Sequence, residues 1–190
     1  MLFRSGNTTL FVVDASGSMG AQKRMTAVKG AILSLLIDAY QKRDRVGLVV
    51  FRGNRAEELL PPTSSVELAR KYMQNLPVGG KTPLASGLMK GFEVLERERM
   101  THPHVIPRMV VISDGKANVS MGSGSPLDDA KEAASRIRGA EIPSVVIDSE
   151  QGFLSFGLAH ALSDELGAKY LRLEDLRSDQ IAGVVKGIGM

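Results

Sequence analysis

Residues 11–20 read FVVDASGSMG. Three apolar residues, Phe11 to Val13, run straight into Asp14, Ser16 and Ser18, and Gly20 opens a long stretch of helical periodicity. The segment therefore reads as a buried strand, a tight polar turn and a helix start. Asp14, Ser16 and Ser18 set one carboxylate and two hydroxyls at alternate positions of that turn. Hard oxygen donors so spaced suit a small divalent cation, because Mg²⁺ takes oxygen ligands in a compact octahedron and keeps some of its waters. The remaining donors must come from elsewhere in the chain.

Outward from this segment, apolar runs suited to buried parallel strands alternate with longer segments of helical period. Positions 22–40 predict a helix with Met25, Val28, Ile32, Leu35, Leu36 and Ala39 as its core-facing stripe. A strand follows at 45–51, and a short strand at 57–60 that Pro61 and Pro62 stop, which suits a sheet edge. Ser65 caps a helix to about Leu76 with Leu68, Tyr72 and Leu76 on one face. Gly79, Gly80 and Pro83 mark a loop before a helix at 84–99. After the connector THPHVIPR, a strand at 109–112 ends in Ser113, Asp114 and Gly115. Pro126, with Asp128 and Asp129, starts a helix to about Arg138. A strand at 144–147, a helix at 158–166, a strand at 169–173 and a helix at 178–188 complete the pattern. The expected fold is α/β: a Rossmann-like, doubly wound, mostly parallel sheet with one short antiparallel edge strand and helices on both faces, in a single domain over residues 1–190. Ligands in such sheets sit beyond the carboxyl ends of the strands where strand order reverses. Asp14 and Asp114 both follow apolar strands directly, which puts two acids at that rim.

With 43% hydrophobic and 24% charged residues, the composition is that of a soluble globular protein. Its apolar runs are far shorter than the 18 or so residues a spanning helix needs, so no membrane contact is expected. The net charge of +3 is spread over helices and mixed with acids, and three Tyr and no Trp leave little for base stacking, so no nucleic-acid partner is expected. The absence of cysteine excludes disulfides, thiol catalysis and cysteine-held zinc. The first residues, MLFRSGNTTLFVVD, lack the pattern of a secretion signal, and a cytoplasmic setting is the expectation.

Asp14, Ser16 and Ser18, then Thr82 in GGKTP, then Asp114 in SDG together resemble the metal-ion-dependent adhesion site of von Willebrand factor type A domains, also called integrin I domains. The segments AVKGAILSLLIDAYQKRDRVGLVVFRG, LLPPTSSVELA, GGKTPLASGL, SDGKANV and LGAKYLRLEDL are most similar to the type A domain at the carboxyl end of magnesium-chelatase D subunits and their cobalt-chelatase-like relatives. That resemblance implies a divalent cation, Mg²⁺ first with Mn²⁺ or Ca²⁺ as alternatives, at Asp14, Ser16, Ser18, Thr82 and Asp114. It implies a partner protein that offers a Glu or Asp to the metal, an AAA+ chelatase subunit being the expected kind. The family's D subunits carry an ATPase-like domain and a linker upstream, which this sequence lacks, so an excised domain or a stand-alone relative is implied.

Each position also has a plainer reading. Ser16 and Ser18 could cap the first helix, Thr82 the helix after Pro83, and Asp114 could be a turn residue before Gly115. Asp148 and Glu150 stand near the same rim as surface or supporting groups, and Lys116 and Asn118 as loop residues or contacts for a partner's acid. Gly80, Lys81 and Thr82 match the end of a phosphate-binding loop, but Asn75 stands where that motif needs glycine. An aspartyl-phosphate enzyme would want an acid where Ser16 stands. His102 and His104 lack a third ligand, His160 reads as a partly buried surface residue, and Met25, Met73, Met89 and Met109 read as core. Two other functions remain in view, a stand-alone metal-dependent hydrolase and an adhesion-type binding domain. The sequence offers no general base beside the donors themselves, which favours a non-catalytic module.

Overall fold

Alternation along the first strand, β1 (Asn7–Asp14), divides the protein into two packed layers. Phe11 and Val13 turn to one face of the sheet and Leu10 and Val12 to the other, all four without exposure. The structure is a computed structural model, which describes residues 6–17, 21–42, 44–122, 124–150 and 157–175. In it, six strands form one sheet in the order β3-β2-β1-β4-β5-β6. These are β2 (Arg45–Arg52), β3 (Arg55–Thr63), β4 (Ile106–Ser113), β5 (Ser144–Asp148) and β6 (Lys169–Arg172). β3 runs antiparallel to β2, and every other neighbouring pair is parallel.

Helices α1 (Ala21–Lys42) and α2 (Val66–Gln74) cover one face, burying Met25, Val28, Ile32, Ala69 and Met73 against Phe11 and Val13. The other face is covered by α3 (Leu84–Thr101), α4 (Pro126–Gly139) and α5 (Leu158–Leu166). Side chains of α3 to α5 such as Leu88, Val94, Ala134 and Leu162 pack there on Leu10 and Val12. This is the expected doubly wound α/β arrangement. β1 lies between β2 and β4, so the chain winds away from it in both directions. The crevice beyond the ends of β1 and β4 is where such folds bind ligands.

Several expectations need correction. The edge strand is not short and does not stop at the prolines: β3 runs nine residues through Pro61 and Pro62. Its pairing with β2 is irregular between Val46 and Val49, and an edge strand needs no N–H on its open side. β4 begins at Ile106 rather than Met109, and so includes Pro107. The Ile106 N–H reaches Gly6 beside β1 and the Met109 N–H reaches Pro143 beside β5. Pro107 therefore faces the β5 side, where pairing starts only at Met109, and its missing donor leaves no gap. In α2 the buried face is Ala69 and Met73, while Leu68 and Tyr72 are 40% and 38% exposed; Leu76, beyond the helix, is buried as expected. The side chains of Leu35, Leu36 and Ala39 and the helix expected at 178–188 lie outside the described residues.

Candidate metal centre

Asp14 is the last residue of β1, where the strand leaves the apolar core, and its carboxylate is the hub of the rim. Oδ1 accepts the Ser16 N–H at 2.9 Å and the Ser16 hydroxyl at 2.5 Å. Oδ2 accepts the hydroxyl of Ser113, the fully buried last residue of β4, at 3.0 Å. Partial withdrawal from water pushes the Asp14 carboxyl above its ordinary value, and repulsion from Asp114 adds to this. The hydrogen bonds from Ser16 and Ser113 act the other way without cancelling it.

Thr82 joins the same group from the glycine loop before α3. Its hydroxyl donates to Ser16 Oγ at 2.8 Å, so Asp14, Ser16 and Thr82 form one chain of contacts. The helix cap is Pro83, which makes no side-chain cap bond, so Thr82 serves the rim and not the helix end. Asn118 holds Thr82 from both sides: its Oδ1 accepts the Thr82 N–H at 2.6 Å and its own N–H donates to the Thr82 carbonyl at 3.2 Å. The two loops are also joined through their main chains. Gly79 donates to the Ala15 carbonyl at 2.8 Å, Gly17 to the Gly80 carbonyl at 3.2 Å, and Gly53 of the β2–β3 turn to the Lys81 carbonyl at 2.9 Å.

Asp114 follows β4 and faces the same cavity, of about 260 Å³, as Asp14, Ser16 and Thr82. It is also a turn residue, since Oδ1 accepts the Lys116 N–H at 3.0 Å, while Oδ2 pairs with Lys116 Nζ at 3.0 Å. The turn requires Gly115: its φ is +79°, and a Cβ there would lie 2.3 Å from the main-chain nitrogen of Ala159. Of the five sequence-derived ligand candidates, Asp14, Ser16, Thr82 and Asp114 thus meet at one cavity, and Ser18 lies outside the described residues. Among the described residues no three His, Cys, Asp or Glu side chains gather in a way that could hold a metal ion. A cation here would rely on hydroxyl oxygens beside two carboxylates, a donor set that fits a hard divalent ion. The raised pKa of Asp14 fits too, because an added positive charge would relieve both causes of that shift.

Other candidates fall elsewhere. Asp148 is 2% exposed and accepts the Tyr170 hydroxyl at 2.6 Å and the Glu150 N–H at 2.8 Å, which makes it a support for β6. Burial and the Asp148 carboxylate push the Tyr170 hydroxyl up to about 12. His102 sits against Glu98 at 3.5 Å, and His160 is more exposed than expected, lying on the Tyr170 ring and pairing with Asp164 at 3.3 Å. Met25, Met73 and Met109 are buried and Met89 packs partly buried against the core, all in apolar clusters. Ser113 and the clamp by Asn118 are contributions that sequence reading missed; the apolar run ending at Ser113 was the only signal for the first.

A family model described as the von Willebrand factor type A domain matches residues 9–116, the span that carries Asp14, Ser16, Thr82, Ser113 and Asp114. Over 171 residues the chain is 44% identical to an uncharacterized protein of Methanocaldococcus jannaschii, covering 90% of this chain and 98% of that one. It is 41% identical over 189 residues to the magnesium-chelatase 67 kDa subunit of Chlorobaculum tepidum, which covers 94% of this chain but only 30% of that subunit. The chain thus spans under a third of the length of this second relative. Among solved structures, the manganese-loaded TRAP protein of Plasmodium vivax aligns with a TM-score of 0.67 at 17% identity, covering 95% of this chain and 72% of that one. With more than half its length matched by that family model, and with chelatase subunits among its relatives, this chain belongs to the von Willebrand factor type A domain family.

Proposed function

We propose that residues 1–190 act as a single, non-catalytic, metal-dependent docking domain of a chelatase-like assembly in the cytoplasm. In this reading Asp14, Ser16, Ser18, Thr82 and Asp114 hold a divalent cation, Mg²⁺ in the first place and Mn²⁺ or Ca²⁺ as substitutes. A partner protein, an AAA+ chelatase subunit being the first candidate, presents a Glu or Asp carboxylate to it. The observation that carries the reading is the run of contacts from Asp14 through Ser16 to Thr82, on a cavity that Asp114 shares. The bound cation would supply an electrophilic centre with room for an outside oxygen. Ser16 and Thr82 would contribute neutral hydroxyls, and with one carboxylate on the ion and the other reaching it through water, the ion would keep unneutralised positive charge that draws an outside carboxylate. Ser113 would keep the Asp14 carboxylate turned to the rim, and Asn118 would keep Thr82 there. Similarity to chelatase subunits and to a manganese-loaded protein of the same fold supports the choice of cation and partner.

A hydrolase reading has less behind it: the described residues lining the cavity include no His, Glu, Tyr or Cys, Lys116 is paired with Asp114, and the two carboxylates are the donors themselves. The test is calorimetric titration of Mg²⁺ and Mn²⁺ into the purified chain and its Asp14→Ala variant. The variant is expected to keep its circular dichroism spectrum and to lose both the cation and cation-dependent capture of chelatase subunits. Equal cation binding by the two proteins would refute the site.

A further inference from the structure

Lys116 is the one cationic side chain among the described residues that line the cavity, and the docking reading leaves it without a role. Its Nζ lies 3.0 Å from Asp114 Oδ2, and its own N–H takes Oδ1, so both oxygens of Asp114 are engaged from within the same turn. The two carboxylates differ in this respect. Asp14 is held by hydroxyls and an N–H, all neutral, whereas Asp114 is held by a full positive charge. The Lys116 side chain is 51% exposed and the Asp114 side chain 11%, so the ammonium approaches the buried acid from the solvent side, at the cavity mouth. A flexible four-carbon stem on a half-exposed residue can withdraw into water at little cost.

The charges around the cavity then decide what the site prefers. Among the described residues that line it, Asp14, Asp114 and Lys116 leave one net negative charge. A divalent cation would turn that into one net positive charge, whereas without Lys116 the loaded site would be neutral. A cation drawn to Asp114, directly or through water, competes with the ammonium for the charge of the same carboxylate.

Resting on the docking reading above, we propose that Lys116 is a tethered counter-cation: its ammonium occupies Asp114 in place of the divalent ion and, once displaced, stays at the mouth as a second positive charge for an incoming carboxylate. The residue thus weakens cation binding and strengthens anion capture by the loaded site. Because the ammonium is screened by water on its exposed side, each effect is expected to be about tenfold and not the far larger change of a dry ion pair.

The experiment compares the wild-type chain with Lys116→Met, which keeps the stem without the charge, and Lys116→Arg, which keeps the charge. Free Mn²⁺ is followed by electron paramagnetic resonance, and acetate is titrated into the Mn²⁺-loaded proteins while water proton relaxation reports displacement of metal-bound water. Lys116→Met is expected to bind Mn²⁺ about tenfold more tightly and to need about tenfold more acetate, with Lys116→Arg within about twofold of wild type on both. Equal or weaker Mn²⁺ binding by Lys116→Met overturns the inference, as does acetate acting at the same concentration on both loaded proteins. A wild-type chain that binds no Mn²⁺ overturns the metal reading itself, and the counter-cation role with it.

Discussion

Asn118 shows how much one side chain contributes to the rim without being a donor to it. Thr82 is buried, so its N–H has the Asn118 amide oxygen as a partner where water has little access. Replacing Asn118 by Ala leaves that donor unpaired, at a cost of about 1–3 kcal/mol. Chemical denaturation should show this loss, and Mn²⁺ titration of the same variant should show weakened binding, because the Thr82 hydroxyl is no longer held against Ser16. Binding unchanged beside a lowered stability would place Asn118 in the scaffold alone. Asp14, Ser16 and Thr82 were legible in the sequence because each is an oxygen donor in a turn at a strand or helix end. Asn118 was not: it stands in a polar loop among residues that look solvated, and its partner is 36 positions away. Nor does any spacing reveal that Lys116 turns back onto Asp114 and not outward.

Helices in this fold are set by what they pack on, and two glycines separate propensity from packing. Gly30, in α1, has nothing within 4 Å of a Cβ placed on it, so Gly30→Ala should stabilise the protein by about 1 kcal/mol through helix propensity and a less flexible unfolded chain. Gly87, in α3, makes the same exchange against the Phe51 ring, where a Cβ would lie 2.3 Å from Cδ1. A buried aromatic ring cannot yield as the tip of a flexible chain does, so Gly87→Ala should destabilise by about 1–3 kcal/mol despite the same propensity gain. Melting temperatures of the two variants, moving in opposite directions, check the pair. The same contrast explains which elements could be read in advance. α5 begins and ends where its periodicity says, and β2 and β5 differ by one residue from their apolar runs. α2 offers two rows at helical spacing, Leu68 with Tyr72 and Ala69 with Met73, and side-chain size alone favours the wrong one; close packing on the sheet selects the smaller row. β3 runs past the point where Pro61 and Pro62 predict a stop, because an edge position relaxes that rule.

At the scale of the molecule, the strand order places the ends of β1 and β4 side by side, and the acids that follow them share one cavity. Loss of water, with repulsion between the two adding to it, raises the Asp14 pKa above 3.8. Protons and a cation therefore compete for the same oxygens, and Mn²⁺ affinity should fall as pH is lowered, beginning above that ordinary value. Stability without metal follows the opposite course. Since the folded state holds this proton more tightly than the unfolded chain, its contribution is lost as pH rises from 3.8 through the raised value. Titrations and melts from about pH 4.5 to 7, with and without Mn²⁺, check both signs; a pH-independent affinity would remove Asp14 from the cation's surroundings. The main-chain bonds from Gly17, Gly53 and Gly79 have a mechanical consequence as well. The turn after β1, the glycine loop and the β2–β3 turn are laced into one clasp, so tension arriving through a docked protein would be distributed over three strands' worth of backbone before any single loop had to give way.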